Sequence, residues 1–473
     1  LSSRFPSEPW KLDGIAREAL RKELKGTAKT PTLDEIPIIT TKAARYKGNP
    51  VLSRGGAGEW DEGRVDNPCV IYDGGYKMWY SGQDINERNG KIGLATSADG
   101  ISFTKSGANP IFDDIETPSG YTNHNTEVAA VIIHISEGTK TYYMIYEQSI
   151  LDATWNRVGV YNKFASSSDG ISWANMGDLT PFEPGVWWDG GKIFVDREGT
   201  FHYVVGKFPN MDNITEHAFY HFHSSDFKTW TMDSETLDLS AEIFGGGFRR
   251  VDDLEIFSLG GLLIGLANYF TKNHIQPLEM LAGYKWNRLK WIGNCIYPAK
   301  EISEGLNTHT HHEASFVVGP ESYGPCPRIY YFMQWDPAVA AVTKDINMAY
   351  LMFGRKRNYP IVEESTLGDG VTTSLDDCTE IPLEGVSNLA LTCVETYAVG
   401  ATLGARLCIY TSIDGVNYDS EPIITRDFAF TANTTKRETF YPTPTAQFMK
   451  VTVENLDAAQ DISDLKIIAT LSR

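Results

Sequence analysis

The chain has 473 residues, 42% hydrophobic and 22% charged, the balance of a folded protein rather than a disordered one. Its 42 Lys and Arg stand against 61 Asp and Glu, a net charge of −19, and such a field repels nucleic acid and anionic membranes. No apolar run approaches the roughly 18 residues a membrane span needs. Forty-two Gly, 22 Pro and 12% aromatics point instead to many turns between short, aromatic-rich strands.

Residues 1–46 stand apart from the rest. LDGIAREALRKELKG, ending on Gly26, carries apolar residues at helical spacing and predicts one helix in an N-terminal arm. Such an arm packs against the main domain or makes a homodimer contact.

From 47 to 358 the texture is strands and turns, and a repeat runs through it. Five segments share an acidic residue, an apolar strand, a turn and a second aromatic-rich strand. They are DNPCVIYDGGYKMWYSG from Asp66, EVAAVIIHISEGTKTYYMIYE from Glu127, DGGKIFVDREGTFHYVVG from Asp189, DDLEIFSLGGLLIGLAN from Asp252 and EASFVVGPESYGPCPRIYYFMQ from Glu313. The spacings between them are 61, 62, 63 and 61 residues. TSADGISFTK, SSSDGISWAN, HSSDFKTWTM and YKWNRLKWIG keep step, supplying a Ser-x-Asp-Gly turn and an aromatic residue to pack between neighbours. Four strands in about 60 residues are a propeller blade, so the expectation is an all-β chain built on a five-bladed β-propeller. Residues 361–473 have their own strand-turn pattern and predict a β-sandwich, with the boundary near Asn358 to Pro360. The six cysteines show no metal or disulfide spacing and read as buried thiols.

The geometry of a propeller gives the repeated acids a meaning. First strands line the channel, so Asp66, Glu127, Asp189, Asp252 and Glu313 are expected to ring one mouth; a slip of one residue would put Asp253 in place of Asp252. Crowded like charges cost stability unless function or a cation compensates, and a structural calcium ion in the channel is the cation considered; no other cofactor is expected. Such carboxyls push one another's pKa values apart, which suits glycosidic bond cleavage by an acid and a base or nucleophile. Trp60, Trp187 and Trp188 are either sugar platforms or blade packing, and the adjacent pair before Asp189 favours a sugar subsite. Arg64, Arg249 and Arg250 precede the acids of the first and fourth units; they neutralise the ring or clamp a substrate carboxylate, sulfate or phosphate.

WDEGRVDNPCVIYDGGYKMWYSG together with IGLATSADGISFTKSGANPIF resembles the first blade of five-bladed glycoside hydrolases, families 43 and 32 and the related 117 and 130, over residues 47–358. The resemblance to family 43 implies Asp66 as the base, Glu127 as the carboxylate that tunes pKa and Asp189 at the place of the acid. That family has Glu where this chain has Asp189, so which carboxyl is the acid stays open. In THTHHEASF, His309, His311 and His312 precede Glu313. Family 117 is similar in using a His near a funnel carboxylate, which implies a proton-handling role for His312 or His311; a metal site and plain rim residues are the alternatives. His217, His221 and His223 form a second cluster. The expected activity is exo-acting hydrolysis of oligo- or polysaccharide. The rivals are a non-catalytic carbohydrate-binding or adhesin-like propeller, and a family-130-like phosphorylase using the arginines. A secreted, periplasmic or cell-surface location fits a polysaccharide-degrading role.

Overall fold

The structure is a computed structural model. It describes residues 43–86, 88–136, 138–196, 199–208, 218–237, 239, 250–259, 262–270, 278–283, 285–296, 311–321, 324–336, 341–351, 356–383, 386–444 and 446–472. The helix expected within 1–46 lies outside the described residues, as do His217, Arg249 and His309. For Arg250, Asp252, His311, His312 and Glu313 only the backbone is described. Among the described residues helical structure is confined to two short 3-10 turns, Trp286–Arg288 and Leu375–Asp377, and no helix is long and apolar enough to cross a membrane.

The chain enters with β1 (Ala44–Arg45) and then builds antiparallel units of four strands. The first is β2 (Arg64–Tyr72), β3 (Tyr76–Gln83), β4 (Lys91–Ser97) and β5 (Thr104–Lys105). The second is β6 (Thr122–Ser136), β7 (Thr139–Leu151), β8 (Arg157–Ser167) and β9 (Ala174–Asp178). The third is β10 (Trp187–Val195), β11 (Phe201–Phe208), β12 (Ala218–Ser224) and β13 (Thr231–Leu237). The fourth is β14 (Arg250–Leu259), β15 (Leu262–Phe270), β16 (Leu278–Gly283) and β17 (Lys290–Ile296). The fifth has β18 (His311–Glu321), β19 (Gly324–Asp336) and β20 (Ala341–Tyr350), and β1 supplies its fourth strand by pairing Ala44 with Tyr350. First strands touch in cyclic order, β2 to β6, β10, β14, β18 and back to β2, which is the arrangement of a β-propeller.

The repeated turns explain the period. Ser97, Ser167 and Ser224 each accept at Oγ from the backbone N–H three residues on, at 2.9, 2.8 and 2.9 Å. The following Asp99, Asp169 and Asp226 each accept two backbone N–H groups at 2.7–2.8 Å. The fourth position needs positive φ, met by Gly100 at 69°, Gly170 at 78° and Phe227 at 64°. Phe227 is held there by its buried ring, stacked 4.3 Å from Tyr143. These turns also join units: Trp79 Nε1 donates to the Gly170 carbonyl at 2.9 Å, and Tyr330 Oη to that of Gly100 at 2.7 Å.

The second domain is two facing four-stranded sheets. β21 (Lys356–Leu367), β23 (Asn388–Tyr397), β26 (Thr435–Phe440) and β28 (Ile462–Ser472) make one, in the order β21-β28-β23-β26. β22 (Ile381–Pro382), β24 (Ala405–Ser412), β25 (Ile424–Asp427) and β27 (Phe448–Asn455) make the other. One hydrophobic cluster runs from Val65, Tyr76 and Tyr350 of the propeller into Tyr359, Ile361 and Leu391 of the sandwich. Cys295, Cys378, Cys393 and Cys408 are buried free thiols, and Cys69 is a half-buried one.

Candidate functional site

Register decides which residue of each first strand stands at the channel mouth. Asp66 pairs with Ser81 and Cys69 with Trp79, so two residues of β2 oppose one of β3. Such a bulge re-aims a side chain at the end of a strand. The spacing recurs from Asp189 to Lys192 on β10, Val251 to Leu254 on β14 and His312 to Ser315 on β18, and Glu127 to Ala130 on β6 keeps it. The positions in register are therefore Asp66, Glu127, Asp189, Val251 and His312. In the fourth and fifth units Asp252 and Glu313 fall one residue later, inside the bulge. The period of 61–63 residues has no means of showing that offset. Backbone strain marks the bulge too, with φ of 46° at Asn67 and 68° at Gly190.

Asp66 is fully buried and in salt-bridge contact with Arg64, two residues earlier on the same strand face. The Arg64 guanidinium also lies 3.9 Å from Glu127 Oε1. That oxygen accepts from Gln83 Nε2 at 2.6 Å and from Asn125 Nδ2 at 3.1 Å. Directly across the strand pair from Glu127 is Glu147 on β7, a buried carboxyl that sequence reasoning did not single out. Burial pushes Glu147 well above the ordinary carboxyl range, and the charge of Asp189, a hydrogen bond to it, and the charges of Glu127 and Asp253 push the same way. These surroundings favour the protonated form of Glu147. Its signal in the sequence was its place: the register partners in the other units are Ser81, Gly206, Tyr269 and Phe332.

Asp253, in the fourth unit's bulge, is buried and acts on Glu147; its backbone N–H and carboxylate are both held by Asn268, at 2.8 and 3.0 Å. Tyr203 packs beneath the group, and a side chain at Gly191 would collide with its hydroxyl, which explains the glycine. Three residues further along the inner strands, Lys192 donates to the Ala129 carbonyl at 2.9 Å. Burial raises Glu255 to about 7, against the charge of Lys192 and a backbone hydrogen bond from Phe316.

Trp187 and Trp188 are a correction. Neighbouring strand residues point to opposite faces, and here both faces are covered. Trp188 is 2% exposed, edge-on to Tyr220 and Phe222, and Trp187 is buried with Val160 and Phe208. Trp60 is half-buried and stacks on Tyr80 at 5.8 Å. The exposed ring at this end is Trp155, 72% exposed in the turn between β7 and β8, where Leu151 pairs with Thr122. Its position shows only once β6 and β7 are seen to extend past Glu127. Burial and then the charges of Arg157 and Arg88 lower the pKa of His124 at the same rim.

No protein-family model matches the sequence, and no curated protein matches it. Several solved structures are similar to this chain at low identity. An N-acetylgalactosamine deacetylase from F. plautii is 13% identical over 65% of this chain and 93% of its own, with a TM-score of 0.46. A thermostable family-43 glycoside hydrolase is 15% identical over 65% and 93%, with a TM-score of 0.44. A GH32 beta-fructofuranosidase from Bombyx mori is 11% identical over 98% and 99%, with a TM-score of 0.44.

Proposed function

We propose that the chain is a glycoside hydrolase whose reaction centre is the carboxyl group at the channel mouth. The observation that carries this reading is the split within that group: burial and the surrounding negative charge favour the protonated form of Glu147, while Asp66 faces the Arg64 guanidinium. A carboxylic acid beside a carboxylate is what glycosidic cleavage requires. Glu147 gives its proton to the leaving oxygen. Asp66 takes a proton from the attacking water, or itself attacks the anomeric carbon. Asp189 and Glu127 keep Glu147 protonated by their charge, and Trp155 offers a sugar-stacking face at the rim.

The reading extends to release of sugars from chain ends, outside the cell or at its surface. A screen of aryl glycosides and of plant, algal and fructan oligosaccharides of increasing length tests it, with the product anomer followed by NMR. Release of one sugar at a time, with a single anomer formed first, is the expected result. Binding of glycans without release from any of them would replace the enzyme by a carbohydrate-binding propeller, and turnover that requires inorganic phosphate would make it a phosphorylase.

A further inference from the structure

The outer strands of the third unit carry a cluster that the channel does not use. His221 and His223 lie two apart on β12 and so share one face. On β13 the register jumps from Met232, opposite Phe222, to Thr236, opposite Tyr220. The bulge leaves Asp233 beside His221. Asp233 Oδ2 is 2.7 Å from His221 Nδ1, and Oδ1 is 3.0 Å from His223 Nδ1. The three groups present one ligand atom each within 4.8 Å of one another.

Behind His221 the ring nitrogens continue. His221 Nε2 is 2.9 Å from His202 Nδ1, and His202 Nε2 is 3.0 Å from Asp196 Oδ2. The rings are stacked in place: Phe194 on His202 at 4.7 Å, and Trp286 of the fourth unit on His221 at 4.5 Å.

We infer that His221, His223 and Asp233 form a divalent transition-metal site of the zinc class, independent of the channel chemistry. Hydrogen-bond direction supports it. A neutral imidazole has one N–H. If His221 Nδ1–H donates to Asp233, its Nε2 must accept from His202 Nδ1–H, and His202 then has no proton left for Asp196. Run the other way, His221 Nε2–H donates to His202 and His202 Nε2–H donates to Asp196. Both ring bonds of the chain leading to Asp196 are then satisfied, and the His221 Nδ1 lone pair faces the Asp233 carboxylate, where a cation belongs. A ring nitrogen that donates onward to a carboxylate-terminated chain is the usual second support of a metal-bound histidine. Two imidazoles and a carboxylate suit zinc, cobalt, nickel or copper rather than calcium or magnesium. Tetrahedral ligand bonds of about 2.0–2.1 Å put ligand atoms roughly 3.3 Å apart, near the 2.7 and 3.0 Å contacts with Asp233 and inside the 4.8 Å that bounds the three atoms. The fourth position opens to solvent, since the side chains of His223 and Asp233 are 41% and 34% exposed. Bound there, the metal would tie β12 to β13 beneath the Trp286 turn.

Calorimetric titration of the metal-stripped full chain with zinc chloride alone tests the site, with melting followed in parallel. One zinc per chain and a melting temperature that rises with free zinc are expected. His223→Gln and Asp233→Asn should each weaken binding at least about 10-fold, and His202→Gln by about 10- to 100-fold. The exposed His223 makes that variant the least disruptive to folding, and its melting without zinc should match the parent. Cobalt should give tetrahedral visible bands in the parent and none in His223→Gln. A combined His309→Gln, His311→Gln, His312→Gln variant should bind zinc as the parent does. Absence of zinc binding overturns the inference. So does binding unaltered in both His223→Gln and Asp233→Asn, or lost in the triple variant instead.

Discussion

Asp66 is buried, and its charge is met within the protein by Arg64. Asn keeps its size and removes the charge. With Glu127 3.9 Å from the same guanidinium, Arg64 retains a partner in the variant. Asp66→Asn should therefore cut turnover by about 100- to 10,000-fold while melting close to the parent temperature. Rates and melting curves on one preparation check this, and full activity in the variant would remove Asp66 from the chemistry. Glu255 makes a different prediction. Its pKa in the fold, about 7, lies above the ordinary glutamate value of 4.5. The folded state therefore holds a proton that the unfolded chain releases between those values. Stability from this group is full below about pH 4.5 and falls as pH rises to about 7. Glu255→Gln escapes that fall, so it should gain stability over the parent from pH 5 to pH 8, by up to about 3 kcal/mol. Denaturant melts at both pH values measure it, and a constant difference would show that Glu255 is not raised.

The elements divide into those the sequence displays and those it hides. Turns such as Ser97 to Gly100 and Ser167 to Gly170 are local chemistry, with donor and acceptor within three residues, so they repeat visibly and carry the period. The mouth is not local. Glu147 matters because β7 lays it opposite Glu127, 20 positions away, and an aromatic-rich strand gives no hint of that. Asp253 acts on Glu147 from within a bulge, and a bulge leaves no trace in a 61–63 residue spacing. The closing strand is hidden for the same reason: Ala44 and Arg45 read as part of the N-terminal arm until β20 pairs them. Ala44 is fully buried, so Ala44→Asp places a charge without a partner in the seam of the fifth unit. The expected loss is about 3 kcal/mol or more. An unchanged denaturation midpoint would mean that β1 does not close that unit.

At the scale of the whole molecule, propeller and sandwich share a core. Tyr350 and Tyr359 pack ring to ring at 5.5 Å across the junction, and Lys47 pairs with Glu364 at 3.0 Å. Arg328, almost wholly buried, lies over the rings of Tyr76 and Tyr350, tying the fifth unit to the first beside that junction. Domains joined by an apolar seam of this kind unfold together. Differential scanning calorimetry should show one transition whose calorimetric and van't Hoff enthalpies agree. Two resolved transitions would make the sandwich an independent attachment.

The central claim is that Glu147 is the proton donor, kept protonated by burial and by Asp189, Glu127 and Asp253. The measurement that tests it most directly is the pH dependence of kcat/KM on a hydrolysed glycoside, for the parent and for Glu147→Gln. Gln resembles the protonated carboxyl in shape and donates a hydrogen bond, so the fold should be kept, yet it has no proton to give. The account predicts that parent activity falls as pH rises through the raised pKa of Glu147. In Glu147→Gln the rate should drop by about 100- to 10,000-fold and that alkaline limb should vanish. Parent-like rates with the alkaline limb intact in Glu147→Gln would contradict it.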